Sequence, residues 1–131
     1  MNTEIISDTL KKSLAGTFAF PDVVRTLIGE GVESYRADLV RREETFYMPD
    51  GATFVEKMDF ASTPIAENFS APDLIAAIRD SQAGRCKYRE FLNRAVRAGV
   101  TSYVTYLSGK KVIYFGRKGE FHVEEFPKAK S

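Results

Sequence analysis

Gly31-Val32-Glu33-Ser34-Tyr35 and Gly99-Val100-Thr101-Ser102-Tyr103 agree at four of five residues across a spacing of 68. In both, glycine follows a stretch with helical apolar spacing, and the alternation after it has a period of two. A helix that ends on glycine and hands the chain to a strand is therefore written twice. Working outward at the same spacing, Leu39 meets Leu107, Gly51 meets Gly119, Val55-Glu56 meets Val123-Glu124, and Ser13, Ala15 and Gly16 meet Ser81, Ala83 and Gly84. These make eleven identities between Thr3–Met58 and Ala71–Phe126, without a gap. The apolar positions follow, with Ile6, Leu10, Val23, Val24 and Ile28 falling on Leu74, Ile78, Phe91, Leu92 and Val96. Two amphipathic units can look alike by chance. An ungapped match through four elements favours a tandem repeat, 3–58 and 71–126, within one domain over 1–131.

Ile6, Leu10 and Leu14 mark one face of a first helix closed by Gly16, and Pro21 and Asp22 open a second whose stripe is Val23, Val24, Leu27 and Ile28. Ser70 caps a third ahead of Pro72 and Asp73, with Leu74, Ile75 and Ile78 inward. A fourth runs from Lys87 to Ala98, with Phe91, Leu92, Ala95 and Val96 inward. In Val32–Leu39 the alternates Tyr35, Ala37 and Leu39 should face the helices, and Tyr103, Thr105 and Leu107 hold the matching places. Ser108-Gly109-Lys110 and Arg117-Lys118-Gly119 read as turns bounding strands Lys111–Gly116 and Glu120–Phe126. Arg41–Asp59 is more polar, with strands suggested by Thr45-Phe46-Tyr47 and Phe54-Val55, and 59–70 reads as a linker. The expected class is α+β, a two-layer sandwich of tandem helix-helix-strand units with an antiparallel sheet and helices on one face. The other sheet face is left open.

A chain of 131 residues, 44% hydrophobic and 28% charged, can bury a self-sufficient core. Nineteen basic residues against eighteen acidic ones leave +1, which gives no long-range field to gather nucleic acid or an anionic membrane. Cys86 is the single cysteine and His122 the single histidine, so neither an internal disulfide nor a Cys/His zinc cluster is available. The residues call for no metal or cofactor. Met1-Asn2-Thr3-Glu4 carries no basic region before an apolar run, and no stretch reaches the length of a membrane span. A reducing cytoplasm is the expected setting.

The segment Gly31–Leu39, Gly-Val-Glu-Ser-Tyr-Arg-Ala-Asp-Leu, together with Gly99–Tyr103 and the run Phe-Gly-Arg-Lys-Gly-Glu-Phe-His at Phe115–His122, resembles the YdfO-like family of small uncharacterised bacterial and prophage proteins. The resemblance spans nearly the whole chain. It implies a compact α+β fold in a bacterial or prophage setting, and it brings no activity or catalytic residue to transfer.

Four groups of residues are candidates for chemistry. Phe121 and Val123 should point inward on the last strand, which would send His122 and Glu124 to the open face as a general-base pair; Glu56, equivalent to Glu124, could join them. The plain alternative is a solvated strand face. Lys110, Lys111, Arg117 and Lys118, interleaved with Tyr114 and Phe115, have the composition of a single-stranded nucleic-acid contact, although lysines in turns are ordinary surface. Cys86 sits between Arg85 and Lys87, yet its equivalent is Phe18, so packing at a helix turn is the better reading. On the open face the first unit shows Arg36 and Asp38 where the second shows Val104 and Tyr106. An apolar area beside a polar one is a binding surface. The leading expectation is therefore a non-catalytic binding module using that face, with a second copy, another protein or a small ligand as partner. A small acid–base enzyme centred on His122 and Glu124 and a weak nucleic-acid binder are the alternatives.

Overall fold

The computed structural model describes residues 2–60 and 64–127. Of the linker expected over 59–70, residues 61–63 lie outside that set. Helix α1 spans Thr3–Leu14, capped by the Asn2 side chain, which accepts from the Glu4 and Ile5 amides. Helix α2 (Phe20–Gly29) starts with Pro21 in its first turn, and Asp22 reaches back to the Ala19 amide. Strands β1 (Ser34–Asp38), β2 (Glu43–Tyr47) and β3 (Thr53–Lys57) follow. The second half repeats this order with α3 (Ala71–Gln82), α4 (Tyr88–Arg97), β4 (Val100–Tyr106), β5 (Lys111–Gly116) and β6 (Phe121–Glu125). Ser70 caps α3 as the sequence predicts, accepting from Asp73. The spacing of 68 recurs in the bounds of both helix pairs and of β3 against β6.

All six strands form one antiparallel sheet in the order β3-β2-β1-β4-β5-β6, so β1 and β4 meet at the centre and each half runs outward to an edge. Gly31 and Gly99, both at positive φ, end α2 and α4 where the chain drops into these central strands. At Gly99 a β-carbon would stand 2.5 Å from the Asn68 carbonyl oxygen, which bars any other residue there. The helices cover one face of the sheet. Ile6, Leu27, Leu74, Leu92 and Val96 from the helices meet Tyr35, Ala37, Leu39, Phe46, Tyr103 and Val112 from the strands in a single core. The architecture is the α+β sandwich that the periodicities predict.

The two helix pairs pack unequally. Helix α4 buries Phe91, Leu92, Ala95 and Val96, whereas α2 buries Leu27 alone, with Phe20, Val23 and Val24 half-buried and Ile28 exposed. Under the first turn of α2 the layers do not close.

Candidate functional site

Between the layers lies a cavity of about 460 Å³, enough for a ring-sized ligand. Its mouth is framed by exposed or half-buried residues: Phe18, Ala19 and Pro21 around the start of α2, Gly84 and Lys87 in the α3–α4 turn, and Pro127 after β6. Phe20 and Phe126 meet edge to face across it, their centroids 5.2 Å apart. The floor is made by inward residues of four neighbouring strands, Tyr35, Glu44, Phe46, Tyr103, Thr105 and Tyr114, all buried. Strand alternation puts them there. Glu44 and Phe46 are two apart on β2, as are Tyr103 and Thr105 on β4.

Glu44 dominates the chemistry. Its carboxylate is 4% exposed and accepts a 2.9 Å hydrogen bond at Oε1 from the Tyr88 hydroxyl, which comes down from the first turn of α4. Tyr88 is in turn hydrogen-bonded to the Tyr103 hydroxyl. Burial pushes the Glu44 carboxyl up to about 7, and the Tyr88 hydrogen bond opposes this only in part. Burial and the nearby carboxylate also raise the Tyr35, Tyr88 and Tyr103 phenols above their ordinary range. Thr105 Oγ1 is buried and completes no hydrogen bond, although the Tyr35 hydroxyl is its neighbour. A buried polar atom left unmatched costs about 1–3 kcal/mol.

The polar groups are unevenly divided between the halves. At the spacing of 68, Glu44 corresponds to Val112, Tyr88 to Phe20, Tyr114 to Phe46 and Thr105 to Ala37. Each pair has one apolar and one polar member, and the polar members converge on this cavity. From sequence Glu44 does not stand out, because β2 lies in a stretch rich in charge. The available signal was its alternation with Phe46 and its pairing with Val112, which together mark an inward carboxylate.

The last strand faces opposite to expectation. Phe121 and Val123 are 65% and 42% exposed, while His122 and Glu124 face the helices. Register decides this. Glu124 and His122 pair with Val112 and Tyr114, whose side chains are buried under the helices, and partners in register share a face. Arg79 of α3 makes the inward carboxylate tolerable, its Nη1 donating to Glu124 Oε2 at 2.7 Å, while His122 Nε2 lies 3.2 Å from Oε1. Despite partial burial, these partners hold Glu124 below the usual carboxylate range. Glu56 also faces the helices, accepting from Ser7 of α1 at 2.8 Å. It sits on β3 and Glu124 on β6, opposite edges of the sheet, five strand spacings or roughly 24 Å apart. The three residues share a face without forming a cluster.

On the open face, Arg36 pairs in register with Val104, Asp38 with Ser102 and Ser34 with Tyr106, so the polar and apolar residues of the central strands lie side by side. Lys110 and Lys111 stand at one end of β5, and Arg117 and Lys118 beyond its other end. Arg117 is engaged, donating to the Ile65 and Ala66 carbonyls of the linker. Cys86 is buried with its Sγ toward the Ala77 carbonyl, and burial pushes its thiol up, as packing requires. No helix among the described residues is long and apolar enough to cross a membrane.

The chain is 33% identical over 110 residues to uncharacterized proteins of Mycobacterium bovis and Mycobacterium tuberculosis, an alignment that covers 82% of this chain and 66% of each relative. The chain therefore spans only that share of the length of the curated relatives it matches. A family model described as a protein of unknown function (DUF1398) matches residues 10–125, which takes in the whole sheet and every helix from Leu10 onward. By that match the chain belongs to the DUF1398 family.

Proposed function

We propose that this chain is a small-molecule-binding protein whose ligand lies in the cavity beneath α2, its apolar body among the aromatic rings and its polar end at Glu44, Tyr88 and Tyr103. The carrying observation is a buried carboxylate and its tyrosines set in a largely apolar, ligand-sized space. Val112 stands in the place that corresponds to Glu44, so an apolar residue fits this position of the fold. A carboxylate kept there at a cost in stability is matched to something that enters. Native mass spectrometry of protein purified gently from a bacterial lysate tests the reading. The expected spectrum carries a nonprotein mass that Thr105→Val reduces. An adduct-free spectrum, with no amide shift from any apolar probe added afterwards, would overturn it.

A second reading is favoured by the open sheet face. Val104, Ile113 and Val123 lie in register across β4, β5 and β6, with exposed Tyr106 and Phe121 flanking them. The occupant proposed is a second copy, apolar half against apolar half, with Arg36 and Asp38 at the border. Tyr106→Glu should then lower the mass measured by light scattering from dimer to monomer without loss of helicity. A wild-type chain that is monomeric at high micromolar concentration defeats this reading.

A further inference from the structure

Hydrogen-bond accounting inside the cavity specifies what the ligand must offer. Ionised Glu44 can only accept, so Tyr88 donates to it, and Tyr103 must then donate to Tyr88. Both phenolic protons are spent. What Glu44 and its two tyrosines present to the cavity is acceptor capacity: Glu44 Oε2, which receives no donor among the described residues, and the remaining lone pairs of Tyr103; the Thr105 hydroxyl beside Tyr35 can accept or donate. Among the described residues no cation answers the carboxylate. Lys87 lines the rim and donates to the Gly16 carbonyl, Arg79 is bound to Glu124, and Arg94 to Asp80. On the Glu44 side the walls are Tyr35, Phe46, Tyr88 and Tyr103, with Phe91 and Tyr114 farther along the sheet, rings whose faces attract positive charge.

We infer that the cavity takes an organic ammonium compound, an aromatic or alkyl amine whose protonated nitrogen sits against Glu44 within this ring of aromatic side chains. The inference rests on the cavity being a ligand site. A primary ammonium brings three donors and one positive charge, matching the lone pairs and the uncompensated carboxylate. An anionic head group would meet Glu44 with no arginine or lysine among the described residues to bridge them. A neutral carbonyl compound would need a donor, which the cavity offers at the Thr105 hydroxyl at any pH, but it would leave the Glu44 carboxylate without a counter-charge.

These alternatives respond differently to pH. The groups that face Glu44 are Tyr35 from β1, Tyr88 from α4 and Tyr103 from β4, all held above the ordinary phenol range, and Glu56 of β3, its partner in register, which accepts from Ser7 of α1; α1 otherwise contributes only Thr9 and Ser13. Tyr114 of β5 is raised likewise, and His122 stacks behind it. Between pH 6 and 8 the Glu44 carboxyl goes from mostly protonated to mostly ionised. An ammonium ligand should therefore bind about tenfold more tightly at pH 8, whereas a ketone gains nothing from that ionisation.

The experiment titrates phenethylamine, its neutral isostere propylbenzene and the ketone propiophenone into the protein at pH 6, 7 and 8, following backbone amide shifts. A His122→Gln background removes the histidine as a source of pH dependence. The expected result is phenethylamine binding that tightens about tenfold from pH 6 to 8 and loses at least tenfold at pH 8 in Glu44→Gln, with propylbenzene unchanged by that substitution. Tyr88→Phe, which removes the donor to Glu44, should move the midpoint of the phenethylamine profile upward. If propylbenzene binds as well as phenethylamine, or propiophenone binds best, the ammonium inference falls while the cavity remains a ligand site. If none of the three probes binds at any pH, both fall.

Discussion

Replacing Glu44 by Gln should make the protein more stable at pH 8 than at pH 5, relative to wild type. Glu44 has an ordinary carboxyl value of 4.5 in the unfolded chain and about 7 in the fold, so the folded state holds its proton more tightly. The stability contributed by that proton is fully present below about pH 4.5, falls as pH rises through 7, and is gone by pH 8. A shift of about 2.5 units corresponds to roughly 3 kcal/mol, of which about 2.5 kcal/mol lies between pH 5 and 8. Gln keeps an oxygen for Tyr88 and cannot ionise, so it removes this slope. Its amide group adds a constant penalty of about 1–2 kcal/mol where no acceptor meets it. Urea denaturation of ligand-free wild type and Glu44→Gln at pH 5, 6, 7 and 8 measures the difference. With a slope near 1.5–2 kcal/mol per molar urea, the wild-type midpoint should fall relative to the mutant by more than 1 M across that range. Two profiles that stay parallel within about 0.5 kcal/mol would refute the reasoning, because they would mean that Glu44 titrates alike in both states.

Thr105→Val keeps the β-branched shape on β4 and removes a buried hydroxyl that completes no hydrogen bond. It should stabilise the empty protein by about 1–2 kcal/mol in thermal unfolding, and any loss of stability would show that the hydroxyl is matched in solution. Helix α2 buries only Leu27, so its amides should exchange with deuterium faster than those of α4 and become protected when a ligand fills the cavity. Equal protection of the two helices in the free protein contradicts that. Leu92→Ala, at a fully buried position of α4, should cost about 2–5 kcal/mol in the same urea assay.

Some elements were legible because their cause is local. Glycines 31 and 99, Pro21, Ser70 and Asp22 punctuate the helices through backbone conformation, a missing N–H or a side-chain cap, each set by a few neighbouring residues. The strand Lys111–Gly116 follows from its bounding turns, and the inward set Tyr35, Ala37, Tyr103 and Thr105 from alternation together with the lower polarity of Tyr35, Ala37 and Leu39. His122 and Glu124 were misplaced because alternation fixes which residues share a face and leaves open which face is covered. Register with β5 and the approach of Arg79 made that choice, in favour of a charged pair and against the more apolar Phe121 and Val123.

By itself, then, the sequence determined the class and order of the elements, since propensity, caps and periodicity act within a few residues. Tertiary structure decided that Glu56 and Glu124 lie at opposite edges and that Glu44, Tyr88 and Tyr103 converge. These depend on strand order and on how tightly each helix seats, which are settled between residues far apart in the chain. The cavity exists because α2 buries less than α4, and the difference shows only when both helices lie on the sheet.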